Sequence, residues 1–324
     1  MKNLFSIRLG LLLAAAGLLL LFPFFLRPYI MDVMIMIFLY ALLANAWDII
    51  GGYAGQLSLG HAAFFGIGAY TSTCLFVNWG VSPWLGMLAG AALAALAALI
   101  LGFLCFRYGL KGPYFALATL AFGEVMRLIA MNWDVVGGSL GILIPLQKNS
   151  FVNFTFAHKI YYYYIAFLLM ALSTLVLFVI DRSKMGLYLM AIREDEDAAE
   201  AAGVDTSRYK LAAIAVSAML TATGGTFYAQ YLMYISPEEV FGVQHSIEII
   251  LRPIIGGSGT VFGPVLGAFV LGPLSEWARL YLGGYSGVHL MVYGIIVMLV
   301  VLFLPTGIGP RLRDLLVKPG RYHG

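Results

Sequence analysis

Read from its N-terminus, the chain alternates long apolar runs with short polar breaks. Runs occupy Leu9–Leu26, Ile30–Ile50, Leu57–Val77, Trp84–Phe106, Pro113–Trp133 and Ile160–Ile180; after a polar interval come Leu211–Ile235, a shorter run at Ser246–Ile255, then Gly263–Leu282 and Val288–Leu304. A bilayer span needs roughly 20 apolar helical residues, and nearly every run supplies that. The pattern therefore predicts an all-α polytopic membrane protein of about ten membrane-crossing or re-entrant helices, forming one domain over residues 1–324. The first run follows Lys2 and Arg8 as a signal peptide would. It lacks a small-x-small cleavage site and continues almost directly into the next run, so it is expected to remain a transmembrane helix.

Ser246–Ile255 is the exception. Ten helical residues reach only ~15 Å, about half the hydrocarbon thickness, which predicts a broken or re-entrant element turning at Gly256–Gly259. Gly51-Gly52-Tyr53-Ala54-Gly55-Gln56 interrupts the first half as Gly256-Gly257-Ser258-Gly259-Thr260 interrupts the second. Two such breaks in corresponding halves read as weak repeats and point to a transport site where they meet. Tight helix packing also produces paired glycine turns.

Composition agrees with the pattern. Hydrophobic residues make up 61% of the 324 positions and charged ones 11%, with a mean hydropathy of +0.91, which excludes a soluble enzyme and a disordered chain. A net charge of +3 is too small to imply nucleic acid. What matters is where the bases sit. With the N-terminus inside, the inner segments hold Lys2, Arg8, Arg107, Lys111, Arg182, Lys184, Arg193, Arg208, Lys210, Arg311, Arg313, Lys318 and Arg321, most of the 19 Lys and Arg. Both termini and the interval around 182–210 are accordingly expected to be cytoplasmic.

No GxxxxGK[ST] loop, GxSxG or HExxH occurs, so neither ATP hydrolysis nor an embedded hydrolase is expected of this chain. Cys74 and Cys105 lie in separate apolar runs, without a metal-ligand spacing, and read as free interior thiols. Charges within spans form helical pairs: Glu124 with Arg127, Glu248 with Arg252, and Glu276 with Arg279, each on one helix face. They line either a polar passage or a neutralised interior contact, and the second reading is preferred. Asp32 and Asp48 have no such neighbour and are assigned to interfacial solvation.

In Gly55-Gln56-Leu57-Ser58-Leu59-Gly60-His61, Ser58 is placed to cap a helix whose free N–H groups suit a carboxylate. His61 is either part of that site or a satisfied interior histidine. Gly86, Gly90, Ala94, Ala98 and Gly102 form a small-residue seam for close helix packing, and Gly263 with Gly267 a shorter one. Arg193-Glu194-Asp195-Glu196-Asp197-Ala198-Ala199-Glu200-Ala201-Ala202-Gly203 reads as one short helix, acidic in its first turn and stopped by Gly203. Its alanines suit docking on a partner.

Together these blocks resemble the permease subunits of branched-chain amino acid ABC importers of the LivM type. The likeness is carried by residues 55–70 (GQLSLGHAAFFGIGAY), 114–122 (YFALATLAF), 191–199 (AIREDEDAA) and 256–268 (GGSGTVFGPVLGA), and the closing FLPTG at 303–307 also fits. Val135-Val136-Gly137-Gly138 replaces the more usual Thr-Gly-Gly, and Arg252 stands in a usually apolar stretch. The resemblance implies a multi-pass permease of the bacterial inner membrane. It would translocate branched-chain or related amino acids, with no cofactor or metal of its own, because ATP is bound by partners. Those partners are a second related permease, two cytoplasmic ATP-binding subunits and a periplasmic binding protein, with lipid around them. Close relatives carry urea, short amides or aromatic acids, and an ion-coupled secondary transporter is the reading from another class. Candidate pathway residues are Gly55, Gln56, Ser58, His61, Gly256, Gly257, Gly259 and Thr260. Candidate coupling residues are Arg193, Glu194, Glu196, Ala198, Ala199, Ala202 and Gly203, within a cytoplasmic coupling loop at 182–210.

Overall fold

The computed structural model describes residues 27–145 and 150–282, together with 17, 19–24 and isolated positions from 294 to 311. The expected span Val288–Leu304, most of Leu9–Leu26, the side chain of Arg279, and both termini lie outside the described residues. In order, the elements are α1 (Pro28–Asp48), extended by a π-helical turn at Ile49–Tyr53; α2 (His61–Trp79); α3 (Pro83–Arg107); α4 (Pro113–Asn132); the short strand β1 (Ile142–Leu143); and α5 (Lys159–Asp181). Then follow α6 (Lys184–Glu194), α7 (Glu196–Ala201), α8 (Thr206–Leu232), β2 (Tyr234–Ile235), α9 (Pro237–Phe241), α10 (Val243–Gly256) and α11 (Gly263–Leu282).

Local chemistry explains the boundaries. Proline opens α1, α3, α4 and α9, where its missing N–H costs nothing and its φ is already helical. Ser183, Asp195 and Asp205 accept from the backbone N–H of Gly186, Ala198 and Arg208 and so cap α6, α7 and α8. Gly80, in the left-handed region, ends α2.

Five helices among the described residues are long and apolar enough to cross a membrane: α1 with its π turn, α3, α4, α5 and α8. Two of them form the interior. The second half of α1 is buried almost residue for residue, and α8 carries Ser217, Thr221, Thr226 and Gln230 fully buried on its inner face. α2 and α3 pack on α8, while α5, α10 and α11 pack on α1. The small-residue seam does what its spacing predicts. A Cβ on Gly90 would stand 3.1 Å from the Gly68 Cα, one on Gly86 2.8 Å from the Ser72 Cα, and Ala94 and Ala98 are fully buried.

Contacts between distant segments sort the bundle's ends. At one end β1 pairs antiparallel with β2, Ile142 opposite Ile235, and Ser82 and Trp84 donate to carbonyls of Val152 and Phe151. At the other, Tyr53 donates to Asp181 (2.9 Å), Lys111 to Asp197, and Arg193 to Gly52 O. Arg107, Lys111, Arg182, Lys184, Arg193, Arg208 and Lys210 gather at this second end, in accord with the positive-inside rule. α8 therefore leaves the basic end, and α9–α10 return to it within 20 residues. The short run completes this return: α10 spans Val243–Gly256, contains Pro253, and stops where Gly257 takes φ +116°.

Four expectations change. The run starting at Leu57 is helical only from His61, because Gly55 adopts φ +67° and residues 55–60 form no regular element, Leu59 N–H being taken by the Thr119 hydroxyl and Ser58 O by the Trp47 indole. Ser58 caps nothing; Gly60 is the N-cap residue, and the Ser58 hydroxyl turns to the His61 ring. Arg193–Gly203 is not one helix: Asp195 leaves helical geometry to cap α7, so Arg193 and Glu194 end α6 and the acidic first turn belongs to α7. Gly203 stops the segment as read, at φ +88°. Asp32 and Asp48 are not simply solvated, since Lys159 and Tyr231 hold the first, and the second is fully buried.

Candidate functional site

The two glycine breaks meet at the basic end. Asp48, the last residue of α1, accepts from the Ser258 hydroxyl (2.8 Å) and from the Gly259 N–H (3.0 Å to either oxygen), which clamps the loop after α10 onto the π turn. Glycine is required on both sides of this joint. A Cβ on Gly52 would run into the Asp48 carboxylate and stand 2.6 Å from the Gly259 nitrogen, and Gly259 itself sits at φ +75°. Thr260 caps the start of α11 by accepting from Gly263 N–H (3.1 Å) while donating to Gly257 O (2.7 Å).

Arg193 joins this knot from α6. Its guanidinium donates to Gly52 O (2.8 Å), and its stem lies against Gly55, where a Cβ would stand 2.9 Å from Arg193 Cγ. The structure thus brings Gly55, Gly257 and Gly259 of the expected pathway set into one joint with Arg193 of the expected coupling set. α7 hangs from the same region. Lys210, almost fully buried, pairs with Glu196 (2.5 Å) and lies over the Phe106 ring, and Lys111 pairs with Asp197 (2.8 Å). Each member of the second pair shifts the other: Lys111 is held above its ordinary pKa and Asp197 below its own. Ala199 is buried against this chain's own bundle, whereas Glu194, Ala198, Ala202 and Gly203 face outward.

Gln56 stays with the π turn, its N–H donating to Ile50 O (3.0 Å) and its amide to Ala54 O (3.3 Å), whereas Ser58 and His61 sit apart from the joint, in a buried polar chain. Ser217 Oγ donates to Ala46 O (2.6 Å), so it must accept from His61 Nε2–H (2.8 Å), and His61 Nδ1 accepts from the Ser58 hydroxyl (3.0 Å). This order makes His61 the Nε2–H tautomer with both nitrogens satisfied. The N–H of Ala62, at the start of α2, is taken by Ser246 Oγ (2.9 Å), and that of Leu59 by Thr119 Oγ1 (3.0 Å). The helix N-terminus expected to receive a carboxylate is already occupied.

A further feature escaped the sequence reading: a cavity of about 780 Å³ between α1, α8, α10 and α11. Four carboxylates line it, and each accepts from a tyrosine hydroxyl: Asp32 from Tyr231 (2.5 Å), Glu239 from Tyr228 (2.5 Å), Glu248 from Tyr40 (2.8 Å) and Glu276 from Tyr29 (2.7 Å). Two cations stand against them. Lys159 is bonded to Asp32 (2.6 Å), and Arg252 lies flat on the Tyr40 ring (3.5 Å), 3.9 Å from Glu248. Acids within apolar runs were the available signal, but the hydropathy pattern reads tyrosine as apolar and hides their partners. Glu124 and Arg127 form their expected pair (2.5 Å) elsewhere, on the half-exposed face of α4. The described residues contain no group of three or more His, Cys, Asp or Glu placed to hold a metal.

Comparison with known proteins adds a family. Residues 29–302 match the family described as the permease component of branched-chain amino acid transport systems. The high-affinity branched-chain amino acid transport permease LivM of Salmonella typhimurium is 30% identical over 93% of this chain and 75% of its own length. LivH of the same organism is 25% identical over 83% of this chain and 90% of its own. The fructose import permease FrcC of Rhizobium meliloti is 25% identical over 63% and 58%. No solved structure matches.

Proposed function

We infer the function from a family assignment: this chain belongs to the branched-chain amino acid transport permeases, by its match over residues 29–302 and its 30% identity to LivM. It is a multi-pass membrane permease of an ABC importer for branched-chain amino acids. In the finer reading, it works in the bacterial inner membrane with a second, related permease, two cytoplasmic ATP-binding subunits and a periplasmic binding protein. Those partners bind and hydrolyse the ATP.

The observation that carries this reading is the continuity between α7 and the glycine joint. Chemical energy from a separate subunit must enter the permease through a contact and reach the substrate path. α7 offers an outward face at Ala198, Ala201 and Ala202, and it is anchored on its other side by Glu196, Asp197 and Ala199. α6, one residue upstream, carries Arg193 in its last turn, and this guanidinium grips the backbone of the π turn that Asp48 locks to Gly259. A push on α7 is thereby delivered to the place where the two halves of the chain meet. We assign Arg193, Glu194, Glu196, Ala198, Ala199, Ala202 and Gly203 to coupling, with Ala199 and Glu196 acting from within the chain. Gly55, Gly256, Gly257, Gly259 and Thr260 form the inner closure of the path, and Gln56, Ser58 and His61 support it. A carrier driven by an ion gradient would leave the outward face of α7 without a partner to serve.

The test is Ala198→Leu with Ala202→Leu, two outward positions whose enlargement leaves the bundle untouched. The expected result is a permease that inserts and folds normally but no longer copurifies with its ATPase and no longer drives uptake. Normal copurification and normal ATP-dependent uptake would remove α7 from the coupling path.

A further inference from the structure

The cavity between α1, α8, α10 and α11 is built for a zwitterion. At about 780 Å³ it falls within the ~300–1,000 Å³ of small-molecule sites. Among the described residues its four carboxylates outnumber its two bases, which favours a cation along this wall. Their tyrosine partners donate neutral hydrogen bonds, which fix the carboxylates in place without cancelling their charge. Arg252 is the counter-site. Its side chain is 3% exposed, its Nη1 donates to the carbonyl of Glu248 on its own helix, and its buried Nε has no acceptor among the described residues. Glu248 at 3.9 Å engages it only loosely. A buried guanidinium with unused donor capacity can donate two hydrogen bonds to an incoming carboxylate.

The two charges of an α-amino acid are carried on one carbon, so their receptors must stand side by side. Glu248 and Arg252, one helical turn apart on the same face, do so. Across from them α1 presents Val33, Met36 and Ile37 at helical spacing, an apolar wall for a side chain. We propose that this cavity is where the permease itself holds its substrate, with Arg252 on the α-carboxylate, Glu248 on the α-ammonium, and Val33, Met36 and Ile37 against an aliphatic side chain. The proposal rests on the permease reading, and it adds selectivity within the membrane. An amino acid with a second carboxylate is repelled by Glu239, and a molecule lacking either α-charge leaves Arg252 or Glu248 without its ligand partner.

The experiment uses the assembled importer in nanodiscs, without binding protein, so that selectivity read out belongs to the permease. Cys74 and Cys105 are replaced by alanine and Ser275, on the cavity wall, by cysteine. The rate of Ser275→Cys modification by a small methanethiosulfonate is measured against leucine, 4-methylpentanoate and isopentylamine. Leucine should slow labelling saturably, roughly tenfold at nine times its half-protecting concentration, and the analogues lacking the amine or the carboxylate should not. Glu248→Gln and Arg252→Lys should each raise the half-protecting concentration of leucine at least ~10-fold, the loss of about one charge-assisted contact. Their labelling rates without ligand should match the parent, which shows that the cavity is intact. Protection by 4-methylpentanoate equal to that by leucine, or protection unchanged in both variants, would overturn the assignment. ATP-dependent leucine uptake into proteoliposomes by the unmodified importer supplied with its binding protein, with no protection at Ser275→Cys, would overturn the cavity alone, whereas no such uptake would overturn the leucine-importer reading and the proposal with it.

Discussion

Asp48→Ala removes the acceptor that holds the two glycine breaks together, and its consequence can be worked from the joint's geometry. Asp48 is fully buried, and it receives the Ser258 hydroxyl at 2.8 Å and the Gly259 N–H at 3.0 Å. A hydrogen bond lost with its donor left buried costs about 1–3 kcal/mol, and because Ser258 and Gly259 are only half-buried the two donors together cost about 1–3 kcal/mol. Against the ~5–15 kcal/mol that holds a typical fold, that is a measurable share. Asp48→Asn keeps one oxygen able to accept both donors but turns an amide toward the Gly259 N–H, and it should lose about half as much. Ser258→Ala removes one donor together with its need, and should cost least. The assay is thermal or denaturant unfolding of purified permease in detergent, followed by the monodisperse fraction on size exclusion. The ordering wild type, Ser258→Ala, Asp48→Asn, Asp48→Ala is the expected outcome. An Asp48→Ala variant within about 0.5 kcal/mol of wild type, as a solvated surface aspartate would be, refutes the joint.

Gly90→Leu should impair folding, because its Cβ alone would stand 3.1 Å from the Gly68 Cα and overpacking costs about 1–3 kcal/mol; Leu88→Phe, on an exposed face, should express as wild type. Cys74 and Cys105 are both free, so alkylation of denatured, unreduced protein should add two labels by mass. The Lys111–Asp197 tie has a defined pH window. Asp197, depressed below 3.8, contributes above that pH and stops as pH falls through its lower folded value, while Lys111, raised above 10.5, contributes below that pH and stops as pH rises through its higher one. Amide exchange over residues 196–201 should therefore be little changed by this pair between those limits. It should quicken in Lys111→Ala, and more in Glu196→Ala, which strands the buried Lys210.

α3 and α5 fall within a residue or two of their apolar runs, because proline, arginine or lysine bounds them at the membrane surface. Leu57 and Leu59 mislead for a simple reason: they are apolar in a stretch that is not helical, and only the left-handed Gly55 shows that the chain is turning. The break at Asp195 was legible in principle, since an aspartate three residues before a helical N–H is a cap as much as an interior acid. The roles of Asp32 and Asp48 were not. Their partners lie 127 and 210 residues away, and no local pattern records a bond made by topology. The pairs Glu124–Arg127 and Glu248–Arg252 formed as their spacing predicts, yet it is the second that borders the cavity between α1, α8, α10 and α11, a placement that spacing alone does not carry.

The order of synthesis gives the polar end of α1 a history. Asn45 donates to Ser173 and Asp48 accepts from Ser258, groups that leave the ribosome 128 and 210 residues after them. At about 5–20 residues per second, Asp48 waits roughly 10–40 s for its donors. During that interval the helix at the centre of the bundle carries, toward its basic end, an amide and a carboxylate unsatisfied by their final partners. α1 is therefore inserted early and finished late. Chains stalled before residue 258 should be the ones that membrane quality control finds and degrades.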